Sequence, residues 1–233
     1  MAIGNRVYLK RKETNYELCE KLARLPASNV ADQMSRSCAM NPRIRLMSNP
    51  AREGICGPAL TVKARAGDNL MLHKALNMAK EGDVIVVSNE EDDTRALMGE
   101  LMVTYAFHVK KIAALIVDGP IRDIASIGKM DAFVYATGTT PGGPYKEGPG
   151  EVNVPVSCGG VSVNPGDYIL ADADGVIVIP WKDAEKAYEL GLAVHAAEEV
   201  KLAKTMDKTI DRSWVERTLA QKQVEMIDSE WSE

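Results

Sequence analysis

The alternation of textures between residues 57 and 118 most constrains the fold. "ALTVKAR" (59–65) alternates apolar and polar residues like a strand, and Gly67-Asp68-Asn69 breaks it. "LMLHKALNMAK" (70–80) follows with helical spacing, and "DVIVVS" (83–88) reads as a second, more buried strand. "ALMGELMVTYAFHVK" (96–110) predicts a helix with Gly99 near its beginning, and "IAALIVD" (112–118) a third strand. Strand–helix–strand–helix–strand is the order of crossover units and of a sheet that is at least partly parallel.

The flanks differ in character. From 132 to 180, short runs separated by Gly, Pro and Asp predict an all-β half, with Pro165-Gly166-Asp167 as a turn. Before the core, residues 14–37 predict two helices. Thr14-Asn15-Tyr16-Glu17 matches a capping box, and Ser28 or Asn29 stands near the second start. A long helix is expected over 182–206, and Ser213-Trp214-Val215-Glu216 matches another capping box opening a last helix. The expectation is an α/β single domain over residues 1–206, its sheet core at about 57–180, with a helical extension over 207–233.

Composition narrows the function. The 233 residues are 45% apolar with a net charge of −5, and charge is interspersed, which argues against coating a nucleic acid. "NEEDDTR" (89–95) is the dense acidic cluster, expected as a solvated loop. No run approaches the length needed to span a bilayer, and "MAIGNRVYLKRKE" lacks a signal-peptide apolar core. A cytoplasmic protein without membrane partners is expected, its Cys19, Cys38, Cys56 and Cys158 reduced and mostly buried.

His73, His108 and His195 are scattered with no cysteine companion, which disfavours zinc, and neither a nucleophile elbow nor a phosphate loop is present. "GTTPGGPYKEGPGE" (138–151) is glycine-rich but reads as a surface loop, since nothing places it between a strand and a helix. No donor-binding glycine fingerprint follows the first strand, so a methyl-donor enzyme is unsupported.

Polar groups at element ends remain. Gly99-Glu100-Leu101-Met102 sits near a helix start, where successive N–H groups receive anions and glycine permits close approach; an ordinary helix start fits as well. Asp118-Gly119-Pro120-Ile121-Arg122-Asp123 places a guanidinium and a carboxylate on a stiff turn just past a strand. Arg122 can grip a carboxylate or enolate oxygen and Asp123 a hard divalent cation; a capping Asp beside an exposed Arg is the plain alternative. Asp68-Asn69 serves equally as a helix cap or a ligand contact.

Several ordered segments together resemble one family. They are "GPALTVKARAGDNLMLHKAL" (57–76), "GELMVTYA" (99–106), "VDGPIRD" (117–123), "EVNVPVSCGGVSVNPGD" (151–167) and "ADADGVIVIP" (171–180). The resemblance, over roughly residues 27–206, is to the RraA-like family. That family holds the regulator of ribonuclease E activity A and the 4-hydroxy-4-methyl-2-oxoglutarate / 4-carboxy-4-hydroxy-2-oxoadipate aldolases. It implies a swivelling β/β/α sandwich-type fold with flanking helices, a homotrimer or homohexamer, and sites at subunit interfaces.

For aldolase members it further implies Mg2+ or Mn2+ and release of pyruvate from a 4-hydroxy-2-oxo acid or oxaloacetate. Carried onto this chain, the amides of Gly99, Glu100, Leu101 and Met102 would hold the pyruvate carboxylate. Arg122 would hold the carboxylate or enolate oxygen, Asp123 the metal, and Asn69 the substrate. Glu199 on the late helix would reach a neighbouring subunit's metal waters. Glu100 stands where an aspartate usually orients water for proton transfer, and Ser126 where many members have an acid. The spacing from Glu100 to Arg122 is one residue longer than usual, with the surplus in "FHVKK". A regulatory binding protein of the ribonuclease-E-inhibitor type is the alternative. A Schiff-base aldolase would need a buried lysine, for which Lys63 and Lys74 are the poor candidates.

Overall fold

The computed structural model describes residues 3–231. Its centre is β3 (Gly54–Ala64), with β4 (Val84–Ser88), β5 (Ala114–Asp118) and β7 (Val134–Ala136) laid parallel beside it in that order. The sheet extends through β2 (Arg45–Leu46), antiparallel to β7, and on the other side through β9 (Gly150–Val152) and β1 (Arg6–Val7). Strand β3 is eleven residues long because it serves several partners. Its first half pairs with β12 (Tyr168–Asp172), which turns back into β13 (Gly175–Ile179), and its second half pairs with β4 and β9. Two short ladders complete the strands: β6 (Pro120–Ile121) with β8 (Gly138–Thr139), and β10 (Val156–Cys158) with β11 (Val161–Val163).

Both faces of the central sheet are buried, which explains the nearly unbroken apolar runs. Leu60, Val62, Ile85, Val87, Leu115 and Val117 enter one core, against α3 (Leu70–Met78) and α4 (Glu100–Thr104). Their neighbours Ala59, Val84, Val86, Ala114 and Ile116 enter a second, against β10–β13. A third cluster joins α1 (Tyr16–Leu22) and α2 (Ala27–Asp32) to β12 and β13. Short α5 (Ile124–Ile127), long α6 (Ala184–Met206) and α7 (Trp214–Gln221) complete the helices. One compact unit reaches His195 and a second begins at Ala196. In the second, α7 has no buried residue.

Several local expectations shift. The first helix is capped by Asn15, whose side chain accepts from Leu18 N–H, not by Thr14. The second begins after Pro26 without a side-chain cap. Ser213 does not cap α7: its hydroxyl donates to Asp211 and accepts from Arg217. Residues 96–98 are not helical. Helix α4 starts at Glu100 and passes into a π-helical turn over Tyr105–Val109. A π turn takes up one more residue than an α turn, and this one overlaps the segment "FHVKK" (107–111). The turn at 164–167 is as read, with Asp167 N–H donating to Asn164 O at 3.0 Å. The four cysteines are buried free thiols, and no helix among the described residues is long and apolar enough to cross a membrane.

Candidate active site

The parallel strands end together, and the loops beyond their carboxyl ends meet there, the usual place for a ligand in such sheets. Past β5 the chain turns at Gly119, where an added Cβ would come within 2.5 Å of Asn89 Nδ2. The corner that follows is held from both sides. On one side Leu97 N–H donates to Pro120 O at 3.0 Å and Arg122 N–H to Met98 O at 2.9 Å. On the other, Thr137 N–H donates to Gly119 O and Thr140 N–H to Ile121 O, at 3.1 and 3.0 Å. The ladder β6–β8 runs through this seam. Asp118 anchors its base, accepting from Gly159 N–H at 2.8 Å and pairing with Arg43 at 2.7 Å. Burial, reinforced by Asp118, pushes the adjacent Cys158 thiol well above its usual range.

Of the predicted residues, Gly99, Glu100, Arg122 and Asp123 meet at one point. This glycine is the N-cap of α4, and a Cβ there would overlap Asp123 Oδ2 and lie 2.9 Å from Arg122 Cγ. Its backbone is extended, so glycine is required for space rather than for torsion. Asp123 Oδ2 accepts the Glu100 N–H at 3.0 Å and stands 3.8 Å from Arg122 Nε. Both side chains remain about half exposed, at 48% for Arg122 and 44% for Asp123. Asp123 itself is left-handed, with φ 61° and ψ 36°, a conformation that Asp tolerates better than most residues. Such an outlier is commonly kept where orientation matters.

Not all predicted donors are available. Glu100 N–H is engaged by Asp123, and Met102 N–H by Gly99 O at 3.1 Å. The N–H groups of Gly99 and Leu101 meet no acceptor among the described residues. Asn69, expected to touch the substrate, is 2% exposed and props the strip from behind, its Nδ2 donating to Leu97 O at 2.8 Å. Asp68 instead tethers a loop: it accepts from Leu70 N–H on one oxygen and from Glu147 and Gly148 N–H on the other. Glu100 presents an exposed side chain. Glu199 is exposed on α6, in the second unit.

The glycine-rich stretch 138–151 is more than a surface loop. A cleft of about 400 Å³ is lined by Arg122, Asp123 and Ile124 on one side and by Thr139, Thr140 and Pro141 on the other. Arg95 clasps the stretch, donating to Gly143 O at 2.9 Å and to the Tyr145 hydroxyl at 2.8 Å while stacking on that ring. Ala96 N–H adds a bond to Gly142 O at 2.8 Å. The available signal was position: "GTTPGG" follows the strand that pairs with β5, so both loops leave the same sheet end.

Among the described residues no three His, Cys, Asp or Glu side chains form a metal cage. The corner offers one hard carboxylate, half exposed. That donor suits an ion of the Mg2+ kind, which keeps several waters and takes one or two carboxylates together with substrate oxygens. Lys63 is exposed and Lys74 only half-buried, so neither has the desolvated setting of a Schiff-base lysine.

Comparison with known proteins agrees with the segments singled out. The profile of the RraA-like family, described as Aldolase/RraA, matches residues 27–178. A Halalkalibacterium halodurans protein provisionally named 4-hydroxy-4-methyl-2-oxoglutarate aldolase is 34% identical over 84% of this chain and 92% of its own. A solved Streptomyces coelicolor structure, described as an unusual member of the RNase ES inhibitor RraA family, superposes with a TM-score of 0.72. It is 25% identical and covers 82% of this chain and 100% of its own. A Geobacillus kaustophilus structure titled S-adenosylmethionine:2-dimethylmenaquinone methyltransferase gives a TM-score of 0.61 at 33% identity, over 67% of this chain and 95% of its own.

Proposed function

The chain belongs to the RraA-like (Aldolase/RraA) family, and on that premise we propose that it is a divalent-metal-dependent carbon–carbon lyase. In this reading it releases pyruvate from a 4-hydroxy-2-oxo acid or from oxaloacetate through an enolate. The observation that carries the reading is the meeting at Gly99 of the α4 amides with Arg122 and Asp123, beside an open cleft.

Each group has a task that its setting suits. The unengaged amides of Gly99 and Leu101 receive the carboxylate of the 2-oxo acid. The Arg122 guanidinium binds the developing enolate oxygen, where a fixed cation lowers the barrier because negative charge grows there during bond cleavage. Asp123 is the residue that would hold Mg2+ or Mn2+, and the cation when bound would polarise the 2-oxo carbonyl and share the enolate charge. Glu100, exposed next to the Asp123 contact, orients a water that takes the 4-hydroxyl proton as the C3–C4 bond breaks and the carbonyl product leaves. In either reaction that water delivers a proton to the enolate carbon. Asn69 acts indirectly, by fixing Leu97 and so the strip that holds Arg122.

The test is direct. Purified protein with Mg2+ or Mn2+ should yield pyruvate from oxaloacetate faster than the same metal alone, in proportion to protein concentration, and chelation should abolish that excess. Absence of protein-dependent turnover with every pyruvate-releasing substrate refutes the reading. The likeness to the Streptomyces inhibitor-family protein supports a second reading, a regulatory binding protein. Capture of a ribonuclease by a catalytically silent chain would favour it. The swivelling β/β/α layering, and assembly as a trimer or hexamer with Glu199 serving a neighbouring subunit, belong to the proposal and are tested by solution mass and by Glu199→Gln.

A further inference from the structure

At the other end of the parallel strands, the segment joining β1 to α1 lines a second cavity. Tyr8 N–H donates to Val152 O at 3.1 Å, and the chain continues through Lys10–Glu13 to the Asn15 cap. The cavity measures about 500 Å³, and Lys10, Arg11, Lys12, Lys80, Tyr16 and Asn153 line it together with apolar Leu60 and Met78. That volume falls in the range of small-molecule sites, and the walls are more charged than is usual for one, which favours an ionic ligand.

Two buried polar atoms of these lining residues lack partners. Arg11 is paired with Asp83 through Nη2, which leaves its Nη1 buried with no acceptor. Asn153 donates Nδ2 to Tyr8 O at 2.8 Å, and this fixes the amide so that Oδ1 is the unpaired atom. Asn153 is only 8% exposed. Buried polar groups are rarely left this way, and here one wants an acceptor and the other a donor.

The charge around them has one dominant sign. Lys10, Arg11, Lys12 and Lys80 are opposed by Glu13 alone among the lining side chains, in a chain whose net charge is −5. Lys12 rests over the Trp181 ring at 4.4 Å, and Asp83 answers Arg11. Lys10 and Lys80 are in no salt bridge among the described residues. Several separated cations match the three oxygens of a phosphate better than the two of a carboxylate.

We propose that this cavity binds a small hydroxylated organic phosphate, its phosphate oxygens meeting the exposed Lys10 and Lys80. With a small shift of the side chains over the two buried atoms, the phosphate also meets Arg11 Nη1, and a hydroxyl donates to Asn153 Oδ1. The site is separate from the Arg122 cleft, since Lys80 and Asp83 precede β4 whereas the cleft follows β5.

Isothermal titration of the full chain at low ionic strength tests the site, with ribose 5-phosphate and glycerol 3-phosphate as probes and inorganic phosphate and ribose as controls. At least one sugar or polyol phosphate should bind, inorganic phosphate about tenfold more weakly, and ribose not measurably. Lys10→Ala/Lys80→Ala, both exposed positions, should weaken binding by about tenfold or more with an unchanged melting temperature. Arg122→Ala should bind like the parent. The proposal is overturned if neither probe binds, if the double lysine variant binds as well as the parent, or if Arg122→Ala abolishes binding. Equal affinity for inorganic phosphate would overturn the assignment of Asn153 to a hydroxyl.

Discussion

Asp123 Oδ2 accepts the Glu100 N–H at 3.0 Å, so the acid expected to hold a cation also closes the first turn of the helix whose amides are proposed to receive the substrate carboxylate. One side chain thus fixes the distance between two parts of the candidate site that lie far apart in sequence. The bond explains why Gly99 has no room for a side chain, and why a left-handed backbone is kept at Asp123.

Gly99→Ala should be among the most damaging single-methyl changes. The new Cβ would overlap the Asp123 carboxylate and press on Arg122, moving both by a substantial fraction of an ångström. Displacements of that size cost about 10²-fold in rate, so kcat/KM for oxaloacetate should fall by about that factor while circular dichroism stays unchanged. Wild-type kinetics in this variant would show that the convergence at Gly99 has no catalytic meaning.

Arg122→Ala should lower kcat by about 10²–10³-fold if the guanidinium faces the enolate oxygen. Arg122→Lys should recover little, because an ammonium lacks the planar two-point fork. A rise in KM with kcat preserved would instead assign Arg122 to ground-state binding of the carboxylate.

Asp123 separates structure from charge. Asn tolerates the left-handed backbone and keeps an oxygen for Glu100 N–H, so Asp123→Asn should retain stability to within about 0.5 kcal/mol while losing metal-dependent activity. Asp123→Ala loses the acceptor as well, and should cost about 1 kcal/mol in urea unfolding.

Glu100→Gln should lower kcat by about 10²-fold with little change in KM, the mark of a group that acts in proton transfer. Glu100→Asp, which restores the residue usual in the resembled family, should keep at least the parent's kcat. Loss of activity in both would mean that the longer side chain is needed here.

Burial, reinforced by Lys146, lowers the His73 pKa below its usual value. The folded chain then binds fewer protons than the unfolded chain, so the His73 contribution is complete above the unfolded value of about 6.5 and is lost as pH falls through the lowered folded value. Unfolding free energies of the parent should therefore drop on acidification below about pH 6.5 by more than those of His73→Gln. Parallel pH profiles would remove His73 from the account.

Much of this protein is legible in its sequence. The parallel core is written in local periodicity, since burial on both sheet faces demands continuous apolar runs such as Val84–Val87 and Ala114–Val117. The Arg122-Asp123 corner was legible because Gly119-Pro120 stiffens the chain beside it. What the tertiary structure decided is which distant segments meet there. The seating of Thr139–Pro141 across from Arg122, the withdrawal of Asn69 behind Leu97, and the closing of a helix turn by Asp123 depend on strand order and register. Those are set by the whole packed sheet, whereas sequence periodicity reports only which face each residue turns toward its nearest neighbours.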